Sequence, residues 1–225
     1  MAISIPNLKI KKILDQLIIM IQLDYEDKFA VDLESESWLY RVFNGVKYGE
    51  FDFYRQAINV LISRGKNSNK QLDVRVGWNL SHSNRPSIHI IAPAESQGGE
   101  SSVGMSEDTN KFYDNTDGTT VEKTGRDYEG SYELMINSDN EFEAELIYRF
   151  LQALFQSAYD TLQNSFSGTF SFSGKQVLFD PDIIPYNFMR VMIININHKI
   201  EIPKLTLTDY LNDVRFNSLM KDSGS

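Results

Sequence analysis

Apolar residues at Ile10, Ile13, Leu14, Leu17, Ile18 and Ile21 recur at spacings of three and one, which places them on one helical face. The run Lys9–Leu23 is therefore predicted to be an amphipathic helix. Ser4-Ile5-Pro6 supplies its start, with Ser4 as cap and Pro6 in the first turn. Lys9, Lys11 and Lys12 ahead of an apolar run also have the look of a leader. Asp15, Gln16 and Gln22 interrupt that run and no small-residue cleavage site follows it, so the helix reading is preferred. No apolar run is long enough to span a membrane.

Residues 24–70 read as a helical insertion. Trp38, Leu39, Val42 and Phe43 predict a short helix ending near Gly45, and Phe51-x-x-Tyr54 through Ala57, Ile58 and Leu61 predicts another. The period then changes to two. Leu72, Val74, Val76 and Trp78 alternate with Asp73, Arg75 and Gly77, and Ile88, Ile90 and Ile91 resume after the turn-like stretch 81–86. These two strands are expected to form a hairpin.

Residues 93–130 lose all periodicity and are expected to be a long flexible acidic loop or hairpin, with a turn at Asp117-Gly118. Nine carboxylates against three cations give this segment a net charge of −6. Phe112, Tyr113 and Val121 are its few apolar anchors, and they are the candidate subunit-interface residues.

A strand at Ser131–Asn137 leads into Ser138-Asp139-Asn140-Glu141, which has the form of a capping box. A long helix, Asn140–Gln163, is predicted behind it, with Ile147, Phe150, Leu151, Leu154 and Ala158 on the buried face. Strands follow at Ser165–Lys175, Val177–Phe179 and Phe188–Ile196, the last apolar but for Arg190 and Asn195 and expected to be central, with His198–Ile202 extending it. Residues 205–225 form a C-terminal tail. The fold class is therefore α+β in a single domain over 1–225. A mixed, mostly antiparallel sheet would pack against the N-terminal helix and the long central helix.

Composition narrows the function classes. The 225 residues contain no cysteine, which excludes disulfides, thiolate metal sites and a cysteine nucleophile. The net charge of −9 argues against tight binding to a phosphate backbone or an anionic membrane.

Candidate chemistry is sparse. Of the three histidines, His89 and His198 lie on strands and could approach each other, while His82 sits in a turn. Two imidazoles are too few for a metal without a third ligand, so no metal is assigned. The EF-hand spacing fails, because with Gly118 as its glycine the first ligand position is Tyr113. Gly98-Gly99 and Gly45-x-x-x-Gly49 lack the ending of a phosphate loop, and there is no G-x-S-x-G. Asp180 and Asp182, with Glu133, would be the acid–base groups of a carbohydrate-active enzyme, although Asp-Pro-Asp is also an ordinary turn. Glu143 and Glu145 read as solvated helix-surface residues. Tyr132, Phe170, Phe172 and Phe179 would suit a stacking platform, but a sheet core accounts for them better.

The order of elements carries a resemblance. Helix Lys9–Leu23, strands Arg75–Trp78 and Pro86–Ile91, a long loop, strand Tyr132–Ile136, helix Glu141–Leu162 and the run Pro185-Tyr186-Asn187-Phe188-Met189-Arg190-Val191 follow one another. Over about two-thirds of the chain this order resembles the tail-terminator and neck (tail-completion, head–tail connector) proteins of tailed bacteriophages. The resemblance implies a structural virion protein, assembled in the host cytoplasm, without catalytic activity or cofactor. Its partners would be itself, in a homo-oligomeric ring that is commonly a hexamer, and other connector, tail-tube or sheath proteins. DNA would pass through without specific binding. Residues 24–70 and the size of the acidic segment depart from a minimal member, so a baseplate or other tail component is the alternative within the same class.

Overall fold

The computed structural model describes residues 5–62, 71–77, 86–97, 111–114, 120–166, 169–175 and 188–203. Helix α1 spans Pro6–Phe29, longer at both ends than its apolar stripe implied. Pro6 sits in the first turn, where its missing N–H costs nothing. Ser4 lies outside the described residues, and the cap position is Ile5, which makes no side-chain bond. Ile10 and Leu14 are buried, and Ile13, Leu17, Ile18 and Ile21 pack against the same core. The buried amide of Gln22 donates to the Leu61 carbonyl at 2.6 Å, tying α1 to the insertion.

The insertion is more structured than two short helices. A 3-10 turn, Glu34–Glu36, precedes α2 (Trp38–Phe43). A two-stranded hairpin follows, β1 (Lys47–Tyr48) with β2 (Phe51–Asp52). Gly45, just before it, and Gly49, in its turn, have φ of 79° and 58°, a region that penalises a Cβ. Helix α3 (Phe53–Ala57) continues into a π turn, Ile58–Ile62.

The main sheet contains β3 (Asp73–Val76), β4 (Ser87–Gln97), β5 (Lys111–Asp114), β6 (Thr120–Ser138), β7 (Phe170–Lys175) and β8 (Phe188–Pro203). Its order is β3-β4-β6-β8-β7, with β5 also paired to β6. Every pairing is antiparallel except that of β3 with β4. This corrects the expected hairpin: Val74 lies opposite Ile88 and Val76 opposite Ile90 in parallel register. Alternation reports which face is buried and carries no strand direction. The expected central strand, β8, is interior, but β6 occupies the middle.

Helices α4 (Glu141–Ser157) and α5 (Tyr159–Ser165) replace the single long helix, with the break at Ala158, whose φ is −101° and ψ 13°. Helix α1 packs on β3 and β4, and α4 packs on β6 and β8. The register aligns Val74, Ile88, Ile136, Leu134, Met192 and Ile194 across the sheet, and these join the apolar sides of the helices in one core. The fold is thus α+β, as the sequence indicates.

The helix cap is displaced from its expected position. Asn140 is the cap, its side-chain oxygen accepting the Phe142 N–H at 2.8 Å. Ser138, the last residue of β6, instead donates its hydroxyl to the Glu143 carboxylate and accepts the Asn140 N–H at 3.2 Å. Glu143 is therefore a bonded, half-buried group and not a solvated one. Asn140→Ala is expected to cost about 1 kcal/mol, the usual size for a lost cap. Asn140→Asp should recover most of it, since a carboxylate keeps the acceptor and suits the helix N-terminus. Urea denaturation of both variants checks this, and equal losses would place the cap elsewhere.

Candidate functional site

The β6–β8 ribbon is the most unusual feature of the sheet. The two strands pair antiparallel without interruption from Lys123 opposite Pro203 to Ser138 opposite Phe188. Strand β6 has 19 residues, against a usual strand length of about five or six. At roughly 3.3 Å per residue it is about 60 Å long. Strand β4 leaves it at Tyr128, and β7 reaches along β8 only to Ile196, so the ribbon runs past both. Beyond them β5 joins it, with Tyr113 opposite Val121 and Phe112 opposite Glu122. The segment expected to be a loop or hairpin over 93–130 therefore carries strand at both ends, with β5 paired antiparallel to the start of β6; the expected turn at Asp117-Gly118 lies outside the described residues. Of the three nominated interface residues, the backbone register sets Tyr113 opposite Val121, while Phe112 lies opposite Glu122. Strand β4 shifts register between Ile91 and Ala94, a bulge that accommodates Pro93 and its missing donor.

A second feature is a surface cleft of about 500 Å³ between the insertion and α4. Val42, Phe43, Val46, Phe53 and Ala153 line it with apolar surface, and Glu145, Arg149, Gln152 and Gln156 supply polar groups. The last four and Ala153 lie at spacings of 4, 3, 1 and 3, the outer stripe of α4. Glu145, read from sequence as solvated, is half-buried and holds two guanidinium groups. Arg149 Nε lies 2.8 Å from one carboxylate oxygen and Arg190 Nε 3.1 Å from the other. Arg149 also donates to Gln152 Oε1 at 3.0 Å.

The junction of α1 with the insertion is held by a polar cluster. Tyr54 donates its hydroxyl to Glu34 at 2.5 Å, and Tyr25 donates to the same oxygen at 3.4 Å. Burial, then the Glu34 charge, pushes the Tyr25 hydroxyl up; burial with the Glu34 hydrogen bond and charge pushes Tyr54 well up. Asp24 accepts the Trp38 N–H at 2.7 Å and a Lys28 bond at 2.9 Å. Burial alone would raise the Asp24 carboxyl, but these bonds together with Lys28 and Arg41 hold it below the usual range.

The tyrosines imply a pH dependence of known sign. Their folded values lie above the unfolded value of about 10, so their contribution is fully present below about pH 10 and is lost as pH rises beyond it. The denaturation midpoint is expected to fall more steeply above about pH 10 in the natural chain than in the Tyr25→Phe/Tyr54→Phe variant. Parallel profiles would contradict this.

The remaining nominated residues do not converge. Asp180 and Asp182 lie outside the described residues, and Glu133 is engaged with Lys175 at 3.3 Å. His89 is opposite Met135 and His198 opposite Tyr128 on the shared neighbour β6, seven positions apart, so the two imidazoles are not brought together. His82 is outside the described residues. Among the described residues no group of three or more His, Asp or Glu could hold a metal. Tyr132 and Phe170 are buried and Phe172 packs on the same core, where Phe155 lies 5.5 Å from Phe170 and 5.6 Å from Phe172. The stacking-platform reading thus gives way, for these three, to a sheet core; Phe179 lies outside the described residues. No helix among the described residues is long and apolar enough to cross a membrane.

Comparison of the chain with known proteins finds no matching family model and no similar curated protein.

Proposed function

We propose that this chain is a structural protein of a tailed-phage particle, a tail terminator or neck protein that forms a homo-oligomeric ring at the head–tail junction. The β5-β6-β8 ribbon carries this reading. A strand pair that outruns its own sheet offers backbone to a neighbouring molecule. Two further observations support it. On the outer side of α1, Ile19, Met20 and Leu23 are 49%, 63% and 49% exposed within two turns, apolar surface that suits contact with another protein. The net charge of −9 suits a ring through which DNA moves, because an acidic wall repels phosphate. In this role the protein works by assembly and needs neither a catalytic group nor a cofactor. Its partners are further copies of itself and the adjoining connector, tube or sheath proteins, and its place is the virion.

Light scattering of the purified chain over a wide concentration range, alone and with purified tails or capsids, tests the proposal. The expected result is a closed oligomer, or recruitment into the particle fraction. A strict monomer that joins neither fraction would falsify it.

A further inference from the structure

Helix α1 carries a second stripe, on the side away from the sheet. Lys9, Lys12, Gln16, Ile19, Leu23 and Asp27 are exposed along it, at spacings of 3, 4, 3, 4 and 4. Any exposed helix face keeps such steps, and they are also the seam along which two helices pack. Two things distinguish this face. Its centre is apolar, from Ile19, Met20 and Leu23. Its ends carry opposite charge, with Lys12 toward the N-terminus and Asp27 toward the C-terminus, both exposed. Neighbouring charges are spent within the chain: Lys11 lies 2.7 Å from Asp15, Lys28 lies 2.9 Å from Asp24, and Lys9 donates to the Ser165 carbonyl. Lys12 and Asp27 form no ion pair with another described residue. The complement of this face is an apolar helix with its charges in the reverse order, which is the same helix turned end for end.

We propose that this stripe joins two copies of the chain, their α1 helices packed antiparallel about a two-fold axis between Ile19 and Met20. That register sets Lys12 of each copy opposite Asp27 of the other and Gln16 opposite Leu23, because both pairs are centred on the same point. Parallel packing would set Lys12 against Lys12 and Asp27 against Asp27, so charge selects the antiparallel arrangement. The contact goes beyond the ring reading and does not depend on it. A two-fold contact uses one patch twice and closes on a pair, whereas a ring needs a contact between different surfaces. Subunits that make both contacts would form two rings face to face.

The chain has no cysteine, so a single introduced thiol can be joined only to the same thiol of another copy. With a short bis-maleimide, Ile19→Cys is expected to give a cross-linked dimer. Leu8→Cys is the control: Leu8 is 52% exposed, but in the antiparallel register its two copies lie about 35 Å apart, at 1.5 Å of rise per residue. Equal yields at both positions would overturn the antiparallel register, and no yield at position 19 would overturn the contact. Leu23→Glu is expected to weaken the pair roughly tenfold or more. Lys12→Glu should weaken it roughly three- to tenfold, the scale of two exposed ion pairs reversed, and Asp27→Lys in the same chain should restore it. All of these side chains are exposed, so the circular dichroism of the variants is expected to match that of the natural chain. Association that ignores both Leu23→Glu and Lys12→Glu would overturn this inference and leave the ring reading intact. A cross-linked pair with no larger assembly and no recruitment to particles would support it and overturn the ring. A purified chain that stays monomeric overturns the pair alone, and the ring reading falls with it only if recruitment to particles fails as well.

Discussion

Gly130→Val is expected to be among the most damaging single substitutions in this protein. Gly130 lies in the middle of β6, opposite Ile196, and is buried. A Cβ built there would meet the Tyr132 ring at 2.5 Å, closer than real carbon atoms approach. The ring lies over the glycine because residues two apart share a face, and a strand glycine leaves room for it. Tyr132 is fully buried and among the largest side chains of the core, so it has no path to solvent. Overpacking of this kind costs about 1–3 kcal/mol, and more where backbone must move. The position adds to the cost, because β6 pairs with β4, β5 and β8. The mechanism can be isolated by a second change. Tyr132→Ala removes the obstacle and leaves a cavity, so Gly130→Val should be much less harmful in that background. Strict additivity of the two losses in denaturant titrations would show that the ring contact is not the cause.

What the sequence reveals here divides along physical lines. Helix α1 and the buried face of α4 were legible because a half-buried helix writes its period into the apolar positions. The strands β3, the first half of β4 and β8 were legible for the same reason, since Val74, Ile88 and Ile90 face the helices. Strand direction was not, because period two is the same for parallel and antiparallel neighbours. The ribbon half of β6 was missed for a different reason. Its residues 120–130 are polar almost throughout, and what holds them is backbone pairing to β8 and β5, which leaves no apolar signature. The cap was displaced because Ser138 ends β6 and its hydroxyl is spent on Glu143 and the Asn140 N–H. The break at Ala158 has no glycine or proline to announce it.

The cleft needed two distant segments to meet. Its only local trace was the outer-stripe spacing of Glu145, Arg149, Gln152, Ala153 and Gln156, a stripe that would ordinarily be read as solvated. The glycine spacing Gly45-x-x-x-Gly49, set aside as a failed phosphate loop, was the signal for the hairpin that adjoins this cleft. Aromatic packing then fixes that hairpin against α4, with Tyr48 and Phe51 4.9 and 5.4 Å from Phe142. Such junctions have no short motif, so the residues of the cleft could not be nominated in advance.

Phe150→Ala is expected to lose about 3–5 kcal/mol, the range for truncating a fully buried aromatic. Phe150 is 1% exposed on α4 and meets the edge of Trp38 at 5.9 Å and 87°. That geometry adds about 0.5–1.5 kcal/mol beyond area alone. The contact matters because Trp38 is the hub of the insertion. Its backbone N–H is held by Asp24 of α1, and its indole N–H donates to Ser157 of α4 at 3.3 Å. Phe150 thus packs α4 against the same residue that α1 holds. Removing it should loosen α2, and with α2 the Val42 and Phe43 wall of the cleft. Phe150→Leu, which keeps most of the volume but not the edge contact, should recover most of the stability. Denaturation followed by far-UV circular dichroism measures both variants. A loss below about 1 kcal/mol for the alanine variant would mean that the site collapses around the missing ring and that α4 is held mainly by the sheet.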